Sequence, residues 1–324
     1  MTAPLLELEQ LCVRFGDARA CDGVDLDITP GEVVALVGES GCGKTTLART
    51  VVGLEQPFSG QVRFEGEPIP IGSRRSKAYR RAVQMVFQDP TGALNPRQTI
   101  YEAVAEGIRI QGLDGVEEER VAEAMAICGL RPPEDFFLRY PHEVSGGQRQ
   151  RVVIAGAMAL EPRLIVADEP VSALDASVRG EILALMLKLV QETGVSILAI
   201  THDLGLAWNI ADRVAVMYLG RIVELGPTEQ VLEDPQHPYT KALLSVVPET
   251  KKLRQQILTG EPPDPKAIPA GCRFRPRCPV VQSGEADRSG ILGRCESDDP
   301  PLLAIGDAHA AACHAVASVE SSGG

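Results

Sequence analysis

One stretch of eight residues limits what this chain can be more than any other. Gly38-Glu39-Ser40-Gly41-Cys42-Gly43-Lys44-Thr45 fits the pattern G-x-x-x-x-G-K-[ST]. Its flanks agree with it. Val33-Val34-Ala35-Leu36-Val37 before it is a short, β-branched apolar run that reads as a buried strand. Thr46 to Val52 after it reads as a helix that stops near Gly53. Strand, glycine loop and helix together make a phosphate cradle. Glycines such as Gly38, Gly41 and Gly43 let backbone N–H groups reach phosphate oxygens with no Cβ in the way. The helix start adds its unpaired donors and the positive end of its dipole. Lys44 is placed to neutralise the β- and γ-phosphates, and Thr45 to put its hydroxyl on Mg²⁺.

At 324 residues the chain has room for one domain with an appendage, or for two domains. With 44% apolar and 23% charged residues it has ample material for a core. A net charge of −12 argues against nucleic acid as a partner bound over the whole surface. The longest apolar runs, such as Val152 to Leu160, are about half of what a membrane span needs. Met1 to Gln10 holds no Lys or Arg and no extended apolar core, so no secretion signal is read there. Any membrane role is therefore expected to run through a partner.

Along the chain, apolar alternation from Leu5 to Ile28 predicts two antiparallel strands, with a Pro30-Gly31 turn into the cradle strand. Gly60 to Glu65 predicts another strand. Arg74 to Arg81 carries five basic residues in eight; without interleaved aromatics it reads as a solvated helix face. Val83 to Phe87 is a strand ending at Gln88. From Gly92 to Val144 the period turns helical, around Ile100–Ile110 and Val116–Cys128, so this part is expected to be a helical insertion. An α/β half resumes with a helix from Gln148 to Leu160 and a strand at Leu164–Ala167. A helix carrying Ile182, Leu185, Met186 and Leu189 then stops at Gly194, before a strand at Ser196–Ile200. Val214–Tyr218 and Arg221–Leu225 make a hairpin around Leu219-Gly220. Alternating strands and helices imply a largely parallel sheet. Pro248 to Pro269 reads as a linker or extended arm, and the Ser-Ser-Gly-Gly end as disordered.

Two further places carry chemistry. Asp168-Glu169 closes an apolar strand, and ligands of parallel sheets bind at that edge. One carboxylate can support Mg²⁺ while the next aligns water. Ser145-Gly146-Gly147-Gln148 opens a helix and offers a second anion site, whose use is not evident from the residues alone.

Taken together, the Gly38–Thr45 loop, Gln88, Val144-Ser145-Gly146-Gly147-Gln148, Leu164–Glu169, Ser172-Ala173-Leu174-Asp175 and His202 resemble the ATP-binding-cassette (ABC) family in order and spacing. The resemblance implies an α/β fold: an ABC-type P-loop ATPase with a RecA-like core, an antiparallel β subdomain and a helical subdomain at about 91–158. It also implies two cassettes that sandwich ATP head to tail, so that Ser145–Gln148 serves the partner's nucleotide. By motif match, Phe15 would stack on adenine, and Ser40, Cys42, Lys44, Thr45 and Thr46 would belong to the phosphate loop. Thr45, Gln88 and Asp168 would serve Mg²⁺, Glu169 would be the general base, and His202 would contact the γ-phosphate. Val144 stands where leucine is usual before the SGGQ segment, and Phe15 where tyrosine is common; neither change removes a polar catalytic group.

Phe87-Gln88-Asp89-Pro90, Leu94-Asn95-Pro96-Arg97 and His237-Pro238-Tyr239-Thr240 narrow the likeness to the ATPases of oligopeptide and dipeptide importers, the second of the paired subunits in particular. Implied partners are a second ATPase, as a heterodimer, two membrane permeases and an extracytoplasmic peptide-binding protein, with this chain on the cytoplasmic face. Nickel importers share the pattern, and exporter cassettes lack this tail. DNA-repair and ribosomal cassettes usually carry two cassettes or a long insertion, which are absent here. The division expected is a cassette over 1–235 and an extension over 236–324.

The tail holds Cys272, Cys278, Cys295 and Cys313, half of the chain's eight cysteines. No close C-x₂₋₄-C pair of the zinc type is present. Four looser thiolates suit an iron–sulfur cluster of the [4Fe–4S] kind, which the resemblance also favours. Zinc and no metal at all stay open. His309 and His314 read as surface residues, His142 and His237 as structural, Cys42 as a small filler, and Trp208 as packing on the helix after His202.

Overall fold

The computed structural model describes residues 3–69, 76–246, 258–306 and 308–316. Arg74 and Arg75 of the basic run, the first half of the Pro-rich stretch, and the last four residues lie outside them.

Among the described residues, twelve strands form two sheets. β1 (Leu6–Phe15) and β2 (Ala18–Ile28) pair antiparallel as their alternation demands, burying Leu6, Leu8, Leu11 and Val13 on one face. β4 (Ser59–Phe64) and β5 (Glu67–Pro68) complete this four-stranded sheet in the order β2-β1-β4-β5. The second sheet is built on β3 (Val33–Val37), β6 (Val83–Val86), β7 (Leu164–Asp168), β8 (Ser196–Thr201) and β9 (Arg213–Tyr218), parallel in the order β9-β3-β8-β7-β6. Every residue of β3, β7 and β8 is buried, which explains why these strands read as unbroken apolar runs. β10 (Arg221–Pro227) returns antiparallel on β9 through Leu219 and Gly220, both at positive φ. Beyond it β11 (Leu303–Gly306) and β12 (His309–Ala311) extend the same sheet, so the tail is stitched to β10.

Helices cover both faces. α1 (Lys44–Val51) lies between the sheets and buries Leu47 and Val51. α2 (Ser76–Ala82) and α3 (Pro90–Ala93) are short. α4 (Ile100–Gln111), α5 (Glu117–Ile127), α6 (Glu134–Phe137) and α7 (Gly146–Met158) form the expected helical region. Their apolar stripes meet in one core with α8 (Ala176–Thr193), through Val104, Val121, Met125, Val152, Ile182 and Leu189. α4 starts on a capping box, Thr99 with Glu102, and stops at left-handed Gly112. α9 (Leu204–Ile210), α10 (Thr228–Glu233) and α11 (Pro238–Ser245) follow. A third core joins Tyr218 of β9, Tyr239 of α11 and Phe274 of the tail; their ring centroids stand 4.7 to 5.4 Å apart.

Two sequence expectations change. His309 and His314 are buried: His309 Nε2 meets Glu224 Oε1 at 2.9 Å, and His314 Nε2 meets the Asp298 carbonyl at 2.8 Å. The folding of the tail back onto β10 covers both. Trp208 is on α9 as expected but is 45% exposed, so it is not a packing residue.

Candidate active site

The carboxyl ends of β3, β6, β7 and β8 open into one cavity of about 600 Å³. Its lining includes Ser40, Gly41, Gly43, Lys44, Thr45 and Thr46 from the glycine loop. Gln88, Asp168, Glu169 and His202 complete the polar wall. Four separate sequence segments are thus brought to one place.

The loop depends on glycine at two points. At Gly43 φ is +113°, and a Cβ there would stand 2.1 Å from the Ala20 carbonyl oxygen. At Gly38 it would stand 2.2 Å from that of Met217. Gly43 caps α1 without a side-chain bond, and no acid lies in the first turn. The N–H groups of that turn are left facing the cavity for an anion. Lys44, only 7% exposed, donates from Nζ to the carbonyls of Gly38 (2.8 Å) and Glu39 (2.9 Å). Cys42 is packed beneath it, with Sγ 3.8 Å from Lys44 Nζ; burial pushes this thiol up, and the lysine charge partly opposes that. Gly38 and Cys42 therefore shape the loop from behind its lining.

Across the cavity, Asp168 is buried with Oδ1 lacking any hydrogen-bond partner. Burial raises its pKa, the neighbouring Glu169 charge adds to that, and hydrogen bonding from Thr45 pulls it down. A buried carboxylate oxygen without a partner beside a threonine hydroxyl is a donor set that suits Mg²⁺. Glu169 has φ +51°, uncommon for a non-glycine residue, held by its N–H to the Ile200 carbonyl at 2.8 Å. Its Oε1 lies 2.6 Å from His202 Nδ1. This pairs a candidate base with a ring that orients it, at the mouth of the cavity.

The remaining candidates stand elsewhere. Phe15, at the tip of β1, is half exposed and does not line the cavity. Ser145, Gly146, Gly147 and Gln148 begin α7 outside it. Ser145 accepts from the Gln148 N–H, and Gln148 Oε1 accepts from the Ser145 N–H at 2.9 Å, a capping box on an exposed helix start. Sequence reading missed Ala18, Ala20 and Pro265, which also line the cavity. Pro265 belongs to the stretch read as a linker; its carbonyl accepts from the Arg19 N–H at 3.2 Å. No local pattern marks such a contact.

The four tail cysteines are brought together. Cys272, Cys278, Cys295 and Cys313 line one small cavity of about 20 Å³ with apolar neighbours such as Phe274 and Ile291. Burial raises each thiol, Cys272 to about 12 and Cys278 to about 11, and for Cys272, Cys278 and Cys295 other thiols of the group add to it. Among the described residues, no set of three or more His, Cys, Asp or Glu side chains is placed to hold a metal ion.

Residues 21–172 match the ABC transporter family model, and residues 223–284 match the C-terminal region of oligopeptide/dipeptide transporters. The oligopeptide transport ATP-binding protein AppF of Bacillus subtilis is 43% identical over 310 residues, 93% of this chain and 91% of that protein. Among solved structures, cbiO1 of Clostridium perfringens, part of the ABC transporter complex cbiONQ, superposes with a TM-score of 0.65 at 32% identity, over 71% of this chain and 91% of that one. A dimeric post-hydrolysis state of the ATP-binding cassette MJ0796 with ADP and Pi superposes with a TM-score of 0.61 at 28% identity, over 69% of this chain and 98% of that one. The chain belongs to the ABC transporter ATP-binding family, in its oligopeptide/dipeptide branch.

Proposed function

We propose that this chain is the ATP-binding and ATP-hydrolysing subunit of an oligopeptide or dipeptide importer. The observation that carries the reading is the single cavity joining Lys44, Thr45, Asp168 and the Glu169–His202 pair, in a chain that also has the importer-type C-terminal region. Lys44 and the first turn of α1 would hold the β- and γ-phosphates. Thr45, Gln88 and Asp168 would hold Mg²⁺, which when bound neutralises charge between those phosphates. Glu169 would take the proton of the attacking water, with His202 fixing its carboxylate and reaching the γ-phosphate. Phe15 would meet adenine from the tip of β1.

The exposed Ser145–Gln148 start supports a two-chain site, in which this patch closes on the phosphates of a second cassette subunit. Closure would then switch two permeases, to which an extracytoplasmic binding protein delivers the peptide. No helix among the described residues is long and apolar enough to cross a membrane. The chain would attach to the cytoplasmic face through the permeases, with the cassette at 1–235 and the extension at 236–324. The four tail cysteines would hold an iron–sulfur cluster only after drawing closer together than they stand here; the reading rests on four thiols lining one apolar cavity, and on a cluster's size tolerating wide sequence spacing. A colourless, iron-free protein after anaerobic purification would remove that part.

The deciding experiment is uptake into vesicles that hold the chain with its permeases, second ATPase and binding protein. Import of labelled di- or oligopeptides should require ATP. Accumulation of nickel and no peptide would overturn the cargo, and export would overturn the direction.

A further inference from the structure

The tail reaches the phosphate loop, and the contact is charged. Glu39 is the only acid between Gly38 and Thr45, in a loop built to receive the most negative part of its ligand. Its carboxylate is turned aside by Arg277, which donates from Nη1 to Oε2 at 2.7 Å and from Nη2 to Oε1 at 3.0 Å. This is a two-point grip between groups 238 residues apart. The Arg277 side chain is only 6% exposed and lies with its guanidinium carbon 5.9 Å from the Tyr218 ring centroid. The main chain is held too: the Glu39 N–H donates to Tyr239 Oη at 2.9 Å, and the Glu39 carbonyl accepts from Lys44 Nζ. The residue that parks the lysine is thus fixed from the tail by one ion pair and one tyrosine.

We propose that Arg277 is a positioning residue for nucleotide binding, acting through Glu39. Its fork cancels the one negative charge of the cradle and fixes the loop in the shape that accepts phosphate. This rests on the reading of Lys44 and Thr45 as the phosphate site. Arg277 touches no nucleotide itself, so its loss weakens capture of ATP and leaves the chemical step at Glu169 nearly untouched.

The test uses the full-length chain with MgATP carrying a fluorescent ribose tag, and the assembled importer for turnover. Arg277→Ala should raise both the Kd for the tagged nucleotide and the KM for ATP by about tenfold, with kcat within about twofold of wild type. The increase should shrink at high salt, since a freed carboxylate acts at a distance. Adding Glu39→Gln to Arg277→Ala removes that charge and should recover most of the affinity, which a merely structural arginine would not permit. An unchanged Kd in Arg277→Ala, or a double variant as weak as the single one, overturns the inference. Should Arg277→Ala fail to fold, Arg277→Gln with and without Glu39→Gln closes the same cycle. Lys44→Ala separates the two readings. If it abolishes binding while Arg277 variants do nothing, only this inference falls; if it binds like wild type, the phosphate site itself is misplaced.

Discussion

Glu169 and His202 stand 33 residues apart and meet at 2.6 Å only because β7 and β8 are parallel neighbours whose carboxyl ends coincide. The pairing Asp168↔Ile200 in that ladder brings Glu169, the next residue, and His202, two residues on, to the same edge. An isosteric change tests what the carboxylate does there. In Glu169→Gln the side chain keeps its size and an oxygen toward His202 but can no longer accept a proton from water. Nucleotide affinity should stay within about twofold of wild type, while hydrolysis falls by about 10²–10⁴. Single-turnover release of phosphate by the assembled complex makes the measurement. A variant that hydrolyses at the wild-type rate would take the base away from Glu169.

At the scale of elements, what the sequence revealed depended on how local each relation is. The glycine loop, β3 and α1 are neighbours in the chain, and their pattern fits one geometry, so the cradle was readable residue by residue. The same holds for β1, β2 and the helical region, whose periods of two and about 3.6 match the burial found. Relations across the fold were not readable. Nothing near Pro265 announces that it walls the cavity of Lys44 and Glu169, and nothing near His309 announces that β12 will bury it against Glu224. His237 shows how much such burial matters. It starts α11 by accepting the Tyr239 N–H on Nδ1 at 3.0 Å, and its own N–H goes to Glu224 Oε2 at 3.0 Å, with Lys241 one turn further. Burial pushes its imidazole down from 6.5 to about 4, more than the Glu224 charge can offset. The folded chain therefore takes up this proton less readily than the unfolded one. The stability this residue supports is whole above pH 6.5 and drains away as pH falls from 6.5 through 4, by at most roughly 3 kcal/mol. Denaturant melts at pH 7 and pH 5 should show the loss in wild type. In His237→Asn, which keeps a cap oxygen but has nothing to titrate, the slope should be shallower; an identical slope would assign the pH dependence to other groups.

For the molecule as a whole, the difficulty is that the second candidate anion site, Ser145–Gln148, lies outside its own cavity. Ser145 and Gly146 are exposed at the start of a 13-residue helix whose Gly146 and Gly147 N–H groups and positive dipole end could meet a phosphate from outside. A chain acting alone would gain nothing from such a patch, whereas two chains facing each other would each complete the other's site. Gly146 is the place to test this, because steric effects and charge effects separate there. A Cβ at Gly146 would meet Leu174 at 3.8 Å, an ordinary contact, whereas one at Gly147 would meet Val178 at 2.6 Å. Gly146→Asp should therefore leave the fold intact and place a negative charge where the partner's γ-phosphate would arrive. The isolated chain should bind ATP as wild type does, since its own cavity is untouched. Turnover by the assembled importer should fall by about 100-fold, because the closed state would then press like charges together. If turnover persisted with binding unchanged, ATP would be handled inside one subunit and the exposed helix start would need another purpose.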